Sequence, residues 1–421
     1  MRVLFIQPKF PGQYIHLMRA FAAEQRHELV FLGDASLNAD AVPIPGVRLA
    51  TYRPPPRATQ GHDYVRNLDN HVTRGEAVRE AAAELRRRGF MPDLVCAHHG
   101  WGEPLFIKTV FPAARLLVFF EYYFNTPGSD ADFDPEYPAT PAERRRGQIK
   151  NASNLLTLEL ADVGYCPTRW QLSRYPSAYR QHLHIIHDGI DTDAIAPDST
   201  ARFTLPHGRQ LSRDDPVISF AVRGLEPLRG IHSFLRALPF LFAARPDAEV
   251  VIAGNDLACY GKPSPSGSYI RDLRQELGTR VPWEQVHCIG WQDHAALVRL
   301  FQITRAHIYL TYPFVLSWSI LEAMAAAAPV IGSATAPVKE VIRHEANGLL
   351  VDFFDARAIA AAILRLLDDP QLGQTLGRTA RTEARRRYDL QRVCLPQLRA
   401  LCEQAGKQGE PSPQYDRIMR D

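Results

Sequence analysis

The order of apolar runs along this chain leaves few folds open. Short strand-like runs at residues 2–7, 28–32, 94–97, 116–120, 163–166 and 184–187 alternate with stretches of helical periodicity. The pattern restarts at 217–222, 249–253, 286–289 and 306–310, then continues after Pro329 and at 348–352. No tight hairpin joins these runs, so neighbouring strands must run parallel through helical crossovers. The expected fold class is α/β, two Rossmann-like doubly wound domains facing an interdomain cleft. A chain of 421 residues is long enough for two domains with separate cores. We place the first at residues 1–196 and the second at 212–387, with the Pro- and charge-rich region 197–216 as the boundary. Residues 388–421 are expected to pack back on the first domain, and the last few to lack order. The Pro-rich connection holding Pro43, Pro45 and Pro54 to Pro56 reads as an ordered loop.

Composition excludes several functions. A hydrophobic fraction of 46% and a charged fraction of 23% are those of a soluble globular protein, and a net charge of +3 is too small to argue for nucleic acid. The arginine triplets at 86–88 and 144–146 read as solvated helix faces, with weak peripheral contact to anionic lipid as the lesser alternative. No apolar run is long enough to cross a bilayer and no leader pattern opens the chain, so a cytoplasmic protein is expected. Six cysteines without C-x-x-C spacing read as reduced structural thiols.

The most informative stretch is 308–333. It reads as a buried strand, a polar-aromatic turn, an Ala-rich helix from Ser319, and a second strand after Pro329. Ser317 or Ser319 can cap the helix, leaving the N–H groups of its first turn aimed into the preceding turn, which suits a phosphate. Glu322 is read into that first turn. Phosphates repel a carboxylate, so Glu322 suits the adjacent hydroxyls of a ribose. Ser319-x-x-Glu322 is also a capping-box pattern that needs no ligand, and on this stretch alone the two readings are even. Upstream, Arg223-Gly224-Leu225-Glu226-Pro227-Leu228-Arg229-Gly230 lies between a strand and a helix. Two guanidiniums on one short loop suit a diphosphate, with surface salt bridges as the alternative.

In the first half, the turn after the first strand holds one glycine rather than G-x-G-x-x-G, which argues against an NAD enzyme. Gly12 there permits close approach of a phosphate or sugar, or simply a tight turn. His98-His99-Gly100-Trp101-Gly102-Glu103 leaves the carboxyl end of a buried strand, where ligands of open parallel sheets gather. No second ligand cluster accompanies it, so no metal is expected. Glu121 closes the next strand and is an acceptor-side candidate. The acidic run with Asp130, Asp132 and Asp134 precedes a Pro-bounded helix and reads as solvated.

Leu321-Glu322-Ala323-Met324-Ala325, with Pro329-Val330-Ile331 behind it, resembles the donor-binding signature of retaining glycosyltransferases of family 4 (glycosyl transferases group 1), which have the GT-B fold. In that family a first Glu stands eight residues before the second and touches the donor sugar; here that position is Phe314. Arg223 and Arg229 match the family's Arg and Lys with one extra residue between them. Cys288-Ile289-Gly290-Trp291-Gln292 resembles the base-binding turn, and the strand ending at His98 resembles the one that ends in the family's active-site His. The acidic run imitates the D-x-D pair of metal-dependent glycosyltransferases of the other common fold. The resemblance implies retaining transfer from a nucleotide diphosphate sugar as co-substrate, without cofactor or obligatory metal. Glycan, lipid-linked, peptide and small-molecule acceptors remain open. It implies a catalytic set of His98, Arg223, Arg229 and Glu322. The implied donor-binding set is Gly12, Gly290, Trp291, Phe314, Leu316, Ser317, Trp318 and Ser319, with Glu322. The acceptor-side set is His99, Glu103 and Glu121. The alternatives are a catalytically silent sugar-nucleotide-binding subunit, motivated by Phe314, and a GT-B nucleotide-sugar epimerase.

Overall fold

The computed structural model describes residues 1–57, 59–125 and 128–407. The terminal residues expected to lack order lie outside the described ones. The chain divides into two compact units, one from Met1–Pro127, Ala139–Asp188 and Cys394–Asp421, the other from Gly128–Pro138 and Gly189–Val393.

In the first unit β1 (Arg2–Ile6), β2 (Glu28–Asp34), β3 (Val47–Tyr52), β4 (Leu94–His98), β5 (Arg115–Phe119), β6 (Val163–Cys166) and β7 (Leu183–Ile185) form one parallel sheet. Its order is β3-β2-β1-β4-β5-β6-β7. Both faces are covered, so inner strands are apolar throughout rather than alternating. Leu4 and Ile6 pack with Val78 and Ala82 on one side. Val3 and Phe5 pack on the other with Leu17 and Phe21, and with Leu398, Leu401 and Cys402 of the helix Leu395–Lys407. β3 corrects the sequence reading, which took this segment for loop. It is the edge strand, with Leu49 exposed, and prolines flank it, so no buried apolar run announces it.

The second unit opens with β8 (Phe203–Thr204) and β9 (Gln210–Leu211), an antiparallel pair. This hairpin was not expected; two residues per strand are too few to show a period. The main sheet holds β10 (Val217–Gly224), β11 (Glu249–Asn255), β12 (Val286–Gly290), β13 (Ala306–Tyr309), β14 (Val330–Ser333) and β15 (Leu349–Val351). All pairs are parallel, in the order β12-β11-β10-β13-β14-β15. No helix among the described residues is long and apolar enough to cross a membrane.

Each sheet reverses its strand order beside its first strand, between β1 and β4 and between β10 and β13. Connections leave the two strands toward opposite faces at such a point and open a crevice at their carboxyl ends. The crevice of the first unit receives the turn with Gly12 and the segment from His98 to Glu103. That of the second receives the loop from Arg223 to Gly230 and the turn from Thr311 to Ser317.

Candidate functional site

The second unit gathers two arginines without acidic partners. Arg223, near the end of β10, is exposed and makes no hydrogen bond or ion pair among the described residues. Arg229 is buried. Its Nη1 donates to Thr311 Oγ1 at 3.0 Å and to the Val315 carbonyl at 3.1 Å. The guanidinium lies over the rings of Tyr260 and Phe314, 5.8 and 5.6 Å from their centroids. Its Nε and Nη2 donate to no protein acceptor among the described residues. Both guanidiniums act on one atom: burial and Glu226 push the Cys259 thiol up, while Arg223 and Arg229 pull it down.

The one acid of this loop is engaged elsewhere. Glu226 is fully buried, and its Oε2 accepts from the backbone N–H groups of Cys259, Tyr260 and Gly261 at 3.1, 3.0 and 2.7 Å. Glu226 thereby fixes the loop that carries Tyr260. The loops after β10 and β13 also touch closely: a Cβ on Gly230, at φ +76°, would come 2.4 Å from the Leu310 Cβ. The result is concentrated positive charge with free donors, an arrangement that suits a bound anion.

The helix Trp318–Ala325 starts one residue earlier than expected, with Ser317 at the N-cap and no side-chain capping bond. The capping box is therefore not formed. Ser319 lies inside the helix, its hydroxyl 2.6 Å from that of Ser317, and Glu322 falls beyond the first turn. Glu322 Oε1 instead meets His294 Nε2 at 2.9 Å, and this carboxylate holds His294 above the ordinary imidazole value. His294 begins the helix His294–Ile303, which Asp293 caps through the Ala296 N–H. Gly290 ends β12 at φ +68°, and Trp291 beside it is 63% exposed, leaving an indole face for a flat ring. Trp318 is also exposed, while Phe314 is buried and Leu316 belongs to the hydrophobic core.

In the first unit, His98 is 1% exposed at the end of β4. Its Nδ1 accepts the Gly100 N–H at 2.9 Å, so the proton of the neutral ring is on Nε2, which faces Glu121 Oε2 at 3.4 Å. Gly100 permits this turn, since a Cβ there would come 2.8 Å from His98 Cε1. His98 and Glu121 are thus brought together. His99 is not presented to solvent: its ring nitrogens face the carbonyls of Phe119 and Tyr122, and burial pushes it down to about 4. Glu103 is fully buried, accepts from Tyr52 OH at 2.9 Å and lies 3.6 Å from Arg74 Nη1. Burial pushes it up to about 7. At Gly12, φ is +54° and the Gln7 side chain fills the space a Cβ would need.

Asp134 overturns the reading of the acidic run as solvated. It is buried in the second unit, accepts from Tyr312 OH and lies 3.0 Å from His232 Nε2. Sequence reasoning also missed Glu226, Tyr260 and His294. Their partners are 28 or more residues away, and no local pattern marks them.

Residues 25–195 match the family described as Glycosyl transferase family 4 group, and residues 206–383 match Glycosyl transferases group 1. The glycogen synthase of Mycobacterium tuberculosis is 24% identical across 98% of this chain and 97% of its own. A GDP-mannose-dependent alpha-(1-6)-phosphatidylinositol monomannoside mannosyltransferase of Mycolicibacterium smegmatis is 29% identical across 52% of this chain and 56% of its own. Sucrose-phosphate synthase from Thermosynechococcus elongatus has a similar structure, with a TM-score of 0.73 at 19% identity over 96% of this chain and 98% of that one. Anabaena HepE, in complex with UDP and glucose, gives 0.65 at 15% identity over 96% and 100%.

Proposed function

The chain belongs to the group 1 glycosyltransferases and has their two-domain GT-B fold, and on that premise we propose that it transfers a sugar, with retention, from a nucleotide diphosphate sugar to an acceptor in glycan, polysaccharide or glycoconjugate synthesis. The observation that carries this reading is the pair Arg223 and Arg229, which no protein carboxylate neutralises among the described residues. As the bond between the anomeric carbon and the diphosphate lengthens, negative charge grows on the phosphate oxygens. Fixed guanidinium donors stabilise that charge more than they stabilise the ground state. They supply the positive charge that a divalent cation would otherwise bring, which supports transfer without a metal. First-turn amides of the helix Trp318–Ala325, with Ser317 and Ser319 beside them, add further donors.

Glu322 is assigned to the ribose, displacing or sharing its hydrogen bond with His294. Gly290 and Trp291 are assigned to the base, and Phe314 and Trp318 to the donor's flank. Leu316 supports them from the core. In the first unit, His98 is assigned to the reacting sugar and Glu121 to the acceptor side. His99 and Glu103 act from beneath by holding the surrounding chain. Front-face transfer is the proposed mechanism: the leaving phosphate accepts the acceptor's proton, so no enzymic nucleophile is required. HepE was solved with UDP, and the mannosyltransferase of Mycolicibacterium smegmatis is named for GDP-mannose, so the base is a specificity to be measured.

Phe314, at the position of the family's sugar-touching Glu, favours a second reading, a catalytically silent sugar-nucleotide-binding subunit. Release of free nucleoside diphosphate tests the two. A transferase releases it when acceptor is present, a silent subunit only binds the donor, and an epimerase would return an isomeric donor.

A further inference from the structure

Gly128–Pro138 groups with the second unit although the chain on both sides belongs to the first. Side chains hold it there. Phe133 packs on Tyr312, Phe353 and Phe354, Tyr137 packs on His232 and Tyr269, and both Glu136 oxygens accept from Arg236 at 2.6 and 2.9 Å. Between them Asp134, 3% exposed, accepts from Tyr312 OH and from the Glu136 N–H at 2.9 Å, and lies 3.0 Å from His232 Nε2.

A buried carboxylate is costly unless its hydrogen bonds are made; here the Tyr312 hydroxyl and the Glu136 N–H donate to it, with the His232 ring close beside them. The same partners show what Asp134 joins. Tyr312 follows Thr311, whose hydroxyl accepts from Arg229, and the Tyr312 N–H donates to the Leu228 carbonyl at 3.0 Å. His232 lies in the first turn of the helix Ile231–Ala244, directly after Gly230. One carboxylate therefore bridges the loops after β10 and β13, the two that meet where the strand order reverses. Asp134, Glu136 and His232 also bring ligand-type atoms within 4.8 Å of one another. Arg236 already occupies Glu136, however, and its charge opposes a cation there.

We propose that Asp134 is a positioning residue for the anion site, fixing the loops after β10 and β13 so that Arg229 is held where a diphosphate binds. This rests on the diphosphate reading given above. Tyr312 and His232 are the arms through which Asp134 acts.

Calorimetric titration with inorganic pyrophosphate in EDTA tests this on the full chain, comparing wild type with Arg229→Ala, Asp134→Asn and Tyr312→Phe. Asp134→Asn keeps the shape of the side chain, and Tyr312→Phe keeps its packing while removing the hydroxyl. Both are expected to weaken pyrophosphate binding about tenfold while circular dichroism still reports a folded protein. The double variant should be no weaker than Asp134→Asn alone, because the bond that Tyr312→Phe removes is one of those Asp134 makes. If Asp134→Asn fails to fold, Tyr312→Phe alone decides. Affinity within about twofold of wild type in the folded variants, with binding still lost in Arg229→Ala, would overturn the positioning role alone. No binding by the wild-type protein would overturn the diphosphate reading itself, and this inference with it.

Discussion

At Arg223 what matters is the missing partner. An exposed arginine that serves stability pairs with an acid; this one does not among the described residues. Its replacement by alanine should leave the melting temperature almost unchanged, while kcat/KM falls about 10- to 100-fold, the worth of one or two charge-assisted hydrogen bonds. Glu322 was ambiguous in the sequence between ribose ligand and capping box, and the helix start at Trp318 removes the second role. Glu322→Gln should raise the donor KM with the fold intact; unchanged kinetics would leave Glu322 only its bond to His294. Glu103 offers a test by pH. Burial raises it to about 7 in the folded protein against about 4.3 unfolded, so between those values the folded state holds a proton that the unfolded state has lost. Its stabilising contribution is complete below about pH 4.3, falls as pH rises, and levels off above about 7. Glu103→Gln is neutral throughout and should gain on the wild type by up to about 4 kcal/mol from acid to mildly alkaline pH. Denaturant titrations at both ends would show it, and parallel stability curves would contradict it.

Among the elements, the buried parallel strands were legible because both faces are covered, which writes a continuous apolar run into the sequence. The edge strand β3 and the hairpin of β8 and β9 were not: β3 is largely open to solvent, and β8 and β9 have only two residues each, too few to leave such a run. The site shows the same division. Arg223, Arg229, Trp291 and Glu322 stand in local patterns. The chain that holds them does not: Glu226 finds its amides 33 to 35 residues on, and Asp134 meets Tyr312 after 178. A local reading of charge therefore took Asp134 for a solvated acid. For the loop held by Glu226, Glu226→Gln replaces one acceptor oxygen with a donor that faces N–H groups. It should cost about 1–3 kcal/mol and speed amide exchange at Cys259, Tyr260 and Gly261. Unchanged protection of those amides would show that the carboxylate does not order the loop.

For the whole molecule, strand order does most of the positioning. The loops carrying Arg229 and Phe314 are about eighty residues apart in sequence, yet they leave neighbouring strands, because β10 pairs with β13 on one side and β11 on the other. The anion site we propose in the second unit is thus a consequence of topology: two arginines bring the charge, and the buried carboxylates of Glu226 and Asp134 hold bonds to the neighbouring loops. Thermal stabilisation by UDP, GDP, ADP and dTDP in EDTA, on the wild-type protein and Arg223→Ala, puts this to the test. A saturating ligand that binds only the folded state stabilises it by about 2.7 kcal/mol at a hundred times its Kd. One of the four should raise the melting temperature of the wild-type protein and raise that of Arg223→Ala much less at the same concentration. No shift with any of them, or the same shift in both proteins, would contradict a diphosphate site built on these arginines.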